Sequence, residues 1–432
     1  MNIVELSKTK TGKAWLKRFE VADRSAARSL LDSFQLINLD EVSELVQEQI
    51  SELALSRSGK RKAVALYVER EFQEKRAFET AHIKQADGTI RERATGMKGP
   101  FPIKPIRGGV RVGSEGFISS LIAQTVKKYP GILINTPGPD RFRSKTSPIS
   151  TIAIVTDFIG SGNRLRSMLD KFWNVRTVRS WHSTQLIDFV IIAAAATSDG
   201  TAAVGSHVTR PDVRVGRTVP TLSSSKFEQH YSEWERLLEK FSIDHPDDEY
   251  VWGYEDSAAM VLFSYGIPNN APSILWKPTG AITPLYVGNA PAELRPLFWS
   301  GSKSERVERA ARGRGRGLDP TIDVKEQIIL LVLQELRGRF TQRRHYEKKI
   351  RELSERLSLP EADIREALNV AYLKGLIVAE GRLTDEGYDE LRAQSINREQ
   401  KIVVPTNTEP YYPVTLRASR GASSIRRLKG RP

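Results

Sequence analysis

Ile152-Ala153-Ile154-Val155-Thr156-Asp157-Phe158-Ile159-Gly160-Ser161-Gly162-Asn163-Arg164-Leu165 decides how this chain folds. Four apolar residues, mostly β-branched, predict a buried strand. An acid follows, then a Gly-Ser-Gly turn, then a helix expected over Arg164–Phe172. A strand buried on both faces and leading into a helix belongs to a parallel sheet covered by helices. Ligands of such sheets bind at the carboxyl ends of the strands. Gly160 and Gly162 let a phosphate come close to the backbone. Ser161 and the first helical amides can donate hydrogen bonds to its oxygens, helped by the helix dipole. Asp157 is placed to accept hydrogen bonds from ribose hydroxyls. Arg164 faces either the phosphate or solvent. The candidate phosphate and ribose set is therefore Thr156, Asp157, Gly160, Ser161, Gly162, Asn163 and Arg164, with Asp157 as the candidate catalytic residue. The plain alternative is a strand–turn–helix corner that uses glycine for tightness.

Working outward, the same alternation continues. Ala63–Val68, Ile132–Asn135 and Leu186–Ala196 predict strands; Phe117–Tyr129 and Lys226–Phe241 predict helices. Residues 1–60 read as a helical N-terminal extension, with Asp40 expected as a helix cap. Residues 61–300 form the α/β domain. Within it, residues 84–111 read as a long loop with seven Lys/Arg against two Asp/Glu. That loop is a solvated excursion or a lid over an anion. Gly113 and Ser114 precede a helix and form a second candidate anion nest. Lys98, Lys104, Arg107 and Arg111 are candidates to neutralise pyrophosphate. Residues 301–321 are an Arg/Gly linker.

Residues 322–395 predict three helices, a small hairpin and a closing helix capped by Thr384. Gly375 is expected to stop the third helix. Residues 396–432 are a basic tail; from 401 onward seven Lys/Arg face one acid.

Composition narrows the chemistry. The chain has 432 residues and a formal net charge of +14. That charge favours a polyanionic partner, nucleic acid first. There is no cysteine, so disulfides, thiol catalysis and Cys-based metal sites are excluded. The six histidines show no helical metal-ligand spacing, and no metal-ligating set is assigned. The longest apolar run, Phe189–Ala196, is too short to span a bilayer, and Met1–Lys13 lacks the apolar core of a secretion signal. A cytoplasmic protein without membrane contact is expected.

The 152–165 stretch resembles the phosphoribosyl-pyrophosphate (PRPP) loop of type I phosphoribosyltransferases. The departure is Thr156, which stands where those enzymes carry the first of two acids. Trp15–Phe19, the apolar strand at 63, Gly113–Gly116, the 157–162 turn and Tyr265-Gly266-Ile267-Pro268-Asn269-Asn270 through Trp276 recur in an order that extends the likeness. Over about residues 10–280 the chain resembles the phosphoribosyltransferase-like effector family of bacterial conflict systems. Asn269 and Asn270 serve a turn or reach a base; Trp276 is a core plug or a stacking platform. The resemblance implies a PRPP or nucleotide ligand, with Mg²⁺ bridging pyrophosphate and ribose.

The 322–395 unit resembles a winged helix. Its third helix is not strongly basic. Basic residues gather before and on the second helix instead. Arg343, Arg344, Lys348 and Lys349 there, with Arg426, Arg427, Lys429 and Arg431 of the tail, are the candidate nucleic-acid contacts. A phosphoribosyltransferase-like domain joined to a winged helix resembles the accessory effector of a retron antiphage system. That implies a reverse transcriptase and an RNA–DNA hybrid or structured single strand as partners. The second expectation, from a different class, is a PRPP-sensing transcription regulator without catalysis. The sequence leaves the oligomeric state open.

Overall fold

Alternating apolar residues with both neighbours in a strand put one set on each face of a sheet. Five parallel strands use this rule here. They are β2 (Ala63–Val68), β5 (Leu133–Asn135), β6 (Ile149–Ile159), β7 (Asp188–Thr197) and β8 (Asp212–Val219), in the order β5-β2-β6-β7-β8. The computed structural model describes residues 5–57, 62–84, 87–100, 114–244, 249–278, 283–298, 307–308, 311, 322–339, 346–357, 359–378 and 381–400.

Val64, Leu66, Ala153, Val155, Val190 and Ile192 face helices α3 (Leu39–Arg57) and α4 (Ser114–Lys128). Ala65, Tyr67, Ile152, Ile154 and Ile191 face the other way, onto Leu165, Met168, Leu169 and Phe172 of α6 (Asn163–Trp173). The expected parallel sheet with helices on both faces is thus present.

Three elements differ from the sequence reading. First, the segment expected as a loop from 84 begins with an antiparallel hairpin, β3 (Phe78–Lys84) with β4 (Ile90–Met97). Its residues alternate inward and outward, and Phe78 and Ala94 bury against the sheet. Residues 101–113 lie outside the described residues, so the expected lid and Gly113 are not placed. Second, β8 is an edge strand to which the sequence reading assigned no element. Third, the helical N-terminus contains a short strand, β1 (Gln35–Ile37). It pairs in parallel with β9 (Val261–Phe263). The helix after it is capped by Asn38, whose Oδ1 accepts from the Glu41 amide at 2.7 Å; Asp40 lies inside the helix instead.

Helices α1 (Lys10–Leu16) and α2 (Arg24–Asp32) share one core with α9 (Glu228–Asp244) and with apolar residues between 251 and 275 and between 285 and 298. Trp15 is fully buried there and donates from Nε1 to the Ile274 carbonyl at 3.2 Å. Trp276 packs on the same core and donates to the Ala271 carbonyl at 2.9 Å, so it is a core plug.

The C-terminal unit has its own core. Helices 324–339, 346–357 and 361–373 pack around Ile328, Leu333, Leu353, Leu368 and Ile377. Gly375 takes φ +71° and ends the third helix. A bridge between Ile377 and Leu383 forms the small hairpin. Thr384 Oγ1 accepts from the Gly387 amide at 3.1 Å and caps the closing helix, as expected. No helix among the described residues is long and apolar enough to cross a membrane.

Candidate functional site

The chain leaves β2 toward the sheet edge at β5, then returns to place β6 on the other side of β2. This reversal opens a crevice at the carboxyl ends of β2 and β6, the position where open α/β sheets bind ligands. A cavity of about 320 Å³ lies there. Its walls include Asp157, the 160–163 turn, Ser114, Glu69 and the 265–270 segment.

The turn is fixed by close packing. A Cβ on Gly160 would lie 2.0 Å from Asn270 Cγ. The Gly160 carbonyl accepts from Thr197 Oγ1 at 2.6 Å, and the same hydroxyl accepts from the Gly200 amide at 3.0 Å. Gly162 takes φ +82° as it enters α6, a conformation open to glycine without strain. The first-turn amides of α6 have no acceptor within the helix. The Asn163 amide makes a long bond, 3.4 Å, to Ser161 Oγ. Ser161, Gly162 and Asn163 all line the cavity. Ser114 opens α4 on the same cavity.

Thr156 and Asp157 lie within β6, which runs past the expected Val155 end to Ile159. Thr156 is buried. Asp157 Oδ2 accepts from the Tyr265 hydroxyl at 2.8 Å. Burial holds the Asp157 carboxyl above the ordinary carboxylate range, against a smaller downward pull from the Tyr265 hydrogen bond.

Arg164 reaches back from α6 to an acidic group. It lies 2.9 Å from Glu69, 3.6 Å from Glu71 and 2.7 Å from Glu115. Its guanidinium is held at that wall rather than over the turn. Glu69 follows β2 directly, and its amide bonds the Val155 carbonyl at 2.9 Å. Sequence reading missed it, because one acid after one strand carries no local signature.

Asn270 serves the turn: its Nδ2 donates to Ser257 Oγ at 2.9 Å. Asn269 is exposed at the cavity rim. The expected Mg²⁺ has no dedicated cage: among the described residues no group of three or more His, Asp or Glu is arranged to hold a metal. Glu69 and Asp157 are hard oxygen donors facing the cavity, which fits an ion brought in with a pyrophosphate.

The nucleic-acid candidates are divided. Lys349 is 2% exposed and donates to the Gly381 carbonyl at 3.2 Å. It props the hairpin from inside, so the expectation that it faces a polyanion is corrected. Burial of its stem against a small core is the reason. Arg343, Arg344, Arg426, Arg427, Lys429 and Arg431 lie outside the described residues, as does the Lys348 side chain.

No curated protein matches the chain. Two family models do. The model of wHTH-PRTase associated domains matches residues 341–418, consistent with the helical unit and its hairpin. The PRTase-CE model matches residues 13–287, from the first helix through the 265–276 segment, and so spans the whole cavity. A glycine turn at the sheet's reversal point, with an acid three residues before it, sits inside that match, and the chain belongs to the PRTase-CE family.

Proposed function

We propose that the chain is an effector whose cavity takes a phosphorylated ribose, a PRPP or nucleotide ligand, and whose winged helix and basic tail bind nucleic acid. The observation that supports this most is the Gly160–Gly162 turn opening α6 beside Asp157. Backbone amides at the turn suit the 5′-phosphate, and Asp157 suits sugar hydroxyls. Negative charge there would stabilise an oxocarbenium-like centre during transfer or hydrolysis at the sugar. Mg²⁺ would enter with a pyrophosphate-bearing ligand and neutralise it. In a retron-type antiphage system the partner would be a reverse transcriptase with its RNA–DNA hybrid or structured single strand.

Titration of PRPP with Mg²⁺ into the protein tests the ligand. Asp157→Asn is expected to weaken binding at least tenfold, a loss of about 1.4 kcal/mol. Absence of binding at millimolar ligand sinks the free-PRPP reading. For nucleic acid, six neutralised phosphates give a slope near −5 for log affinity against log salt, on the order expected for duplex DNA.

A second reading, a PRPP sensor without catalysis, is favoured by one observation. Thr156, a neutral residue, stands where type I phosphoribosyltransferases carry the first of two acids, while the second is kept as Asp157. Preference for one duplex sequence at fixed salt would support this regulator. Preference for a structured hybrid would support the effector.

A further inference from the structure

We propose that the outward face of the β3–β4 hairpin, with Arg91, Arg93 and Arg143, is a second nucleic-acid site that holds the phosphate backbone of a single strand. None of these residues lines the cavity, and none belongs to the winged helix.

Alternation along β4 decides which side chains meet solvent. Ala94 turns inward onto the core beneath the sheet. Arg91 and Arg93 therefore share the opposite face, beside their register partners Ile83 and Ala81 of β3. Both arginines are exposed, and among the described residues neither has a hydrogen bond or an ion pair. Two residues along a strand span about 6.7 Å, close to the spacing of successive phosphates in an extended nucleic-acid strand.

Arg143 is built into the same edge. It follows α5 (Pro139–Phe142), and its Nη2 donates to the Ala94 carbonyl at 2.8 Å. Its guanidinium lies over the Trp181 ring of α7 (Arg176–Ser183), 5.2 Å from the centroid. Phe142 also stacks on that ring, at 5.2 Å and 12°. Asp140 accepts from Nη1 at 2.9 Å. The guanidinium is thus set in place before a ligand arrives, which lowers the entropic cost of binding.

Charge shows what this edge lacks. Burial first, then the neighbouring Arg93 charge, lower the Arg143 pKa from its ordinary value. Two cations are therefore held side by side, and an anion between them removes their repulsion. Glu92, between Arg91 and Arg93 in sequence, turns to the other face. There Arg76 at 2.8 Å and Arg176 at 3.5 Å share it. Glu79, on the outward face, lies over Gly96 and pairs with neither arginine. A phosphodiester supplies the missing charge and accepts from the guanidinium N–H groups. A row of separate guanidiniums suits a repeating anion better than a lone phosphate. Phe142 and Arg143 take up the Trp181 ring, so no base stacks on it. The contact reads charge and spacing rather than sequence.

The test is fluorescence anisotropy of a labelled oligo(dT), and of a duplex of equal length, with the full chain across a salt series. One variant carries Arg91→Gln with Arg93→Gln. A control carries Lys127→Gln with Lys128→Gln, the same charge change at exposed positions of α4. Neither arginine has a partner to lose, so the melting temperature should match that of the unaltered chain. Removing two phosphate contacts from a single strand should flatten the slope of log affinity against log salt by about 1.4 units. The control should keep the slope, and the duplex should hardly respond to the arginine variant. Equal slopes in variant and control overturn the inference and leave an acidic protein surface as the occupant of this face. An equal loss on the duplex overturns the single-strand assignment. No binding of oligo(dT) to the unaltered chain overturns the inference while leaving the winged helix its structured hybrid.

Discussion

At the carboxyl edge of β2 and β6, small residues make room and polar residues face a cavity. In the C-terminal unit, a residue that looks like a ligand contact is packed inside. Gly160 and Gly162 have no side chain because neighbours occupy the space. Lys349 has a long side chain because the small core uses its stem and the hairpin carbonyl takes its ammonium. The difference is one of core size. The sheet buries its faces along the strands with Ile, Val and Ala, and leaves the strand ends for chemistry. The three-helix unit is small, and among its described residues one charged side chain, Lys349, is drawn into the packing. A glycine with no room is therefore a firmer guide to a site than a cation on a helix.

Three substitutions and one control sharpen or break this contrast, the largest first. Leu368→Ala removes a side chain that is 1% exposed in the C-terminal core and should cost about 4 kcal/mol there. Denaturant unfolding should show an early transition of that unit, with the sheet's transition unmoved. A single shifted transition would break the idea of two separate cores. Gly160→Ala drives a methyl into Asn270 and should destabilise by about 3 kcal/mol, with loss of ligand binding. Gly205→Ala meets nothing within 4 Å and serves as the control. It should be neutral or stabilise by about 0.5 kcal/mol. Equal effects at the two glycines would remove the steric argument for the turn. Lys349→Met should cost about 2 kcal/mol from the lost charged hydrogen bond. It should leave the salt slope of nucleic-acid binding unchanged. A slope reduced by about one unit would return Lys349 to the nucleic-acid surface.

Sequence made the centre of the fold legible because the 152–155 run and the 189–196 run are too apolar to lie elsewhere. It read the glycine turn and the closing-helix cap for the same local reason. It missed β8 and the β3–β4 hairpin, whose exposed arginines, lysines and glutamates follow the water-facing side of edge strands. It placed Asp157 just after its strand, because period and apolarity end before backbone pairing does. Glu69 was illegible for another reason. Its partner hydroxyl on Thr156 is 87 positions away, and only the reversed strand order brings them together. Arg164 was left between phosphate and solvent; two acids just after β2 and one on α4 hold it.

The bond from Trp15 to the Ile274 carbonyl joins positions 259 residues apart, and Trp234 bonds Ser29 across 205. During synthesis the first helices leave the ribosome long before their partners exist. At ordinary elongation rates that interval is on the order of 10–50 s. Through it, Trp15, Leu30 and Leu31 have no native surface to cover them. The opening helices of this domain must wait for its last third, and the domain completes itself from both of its ends.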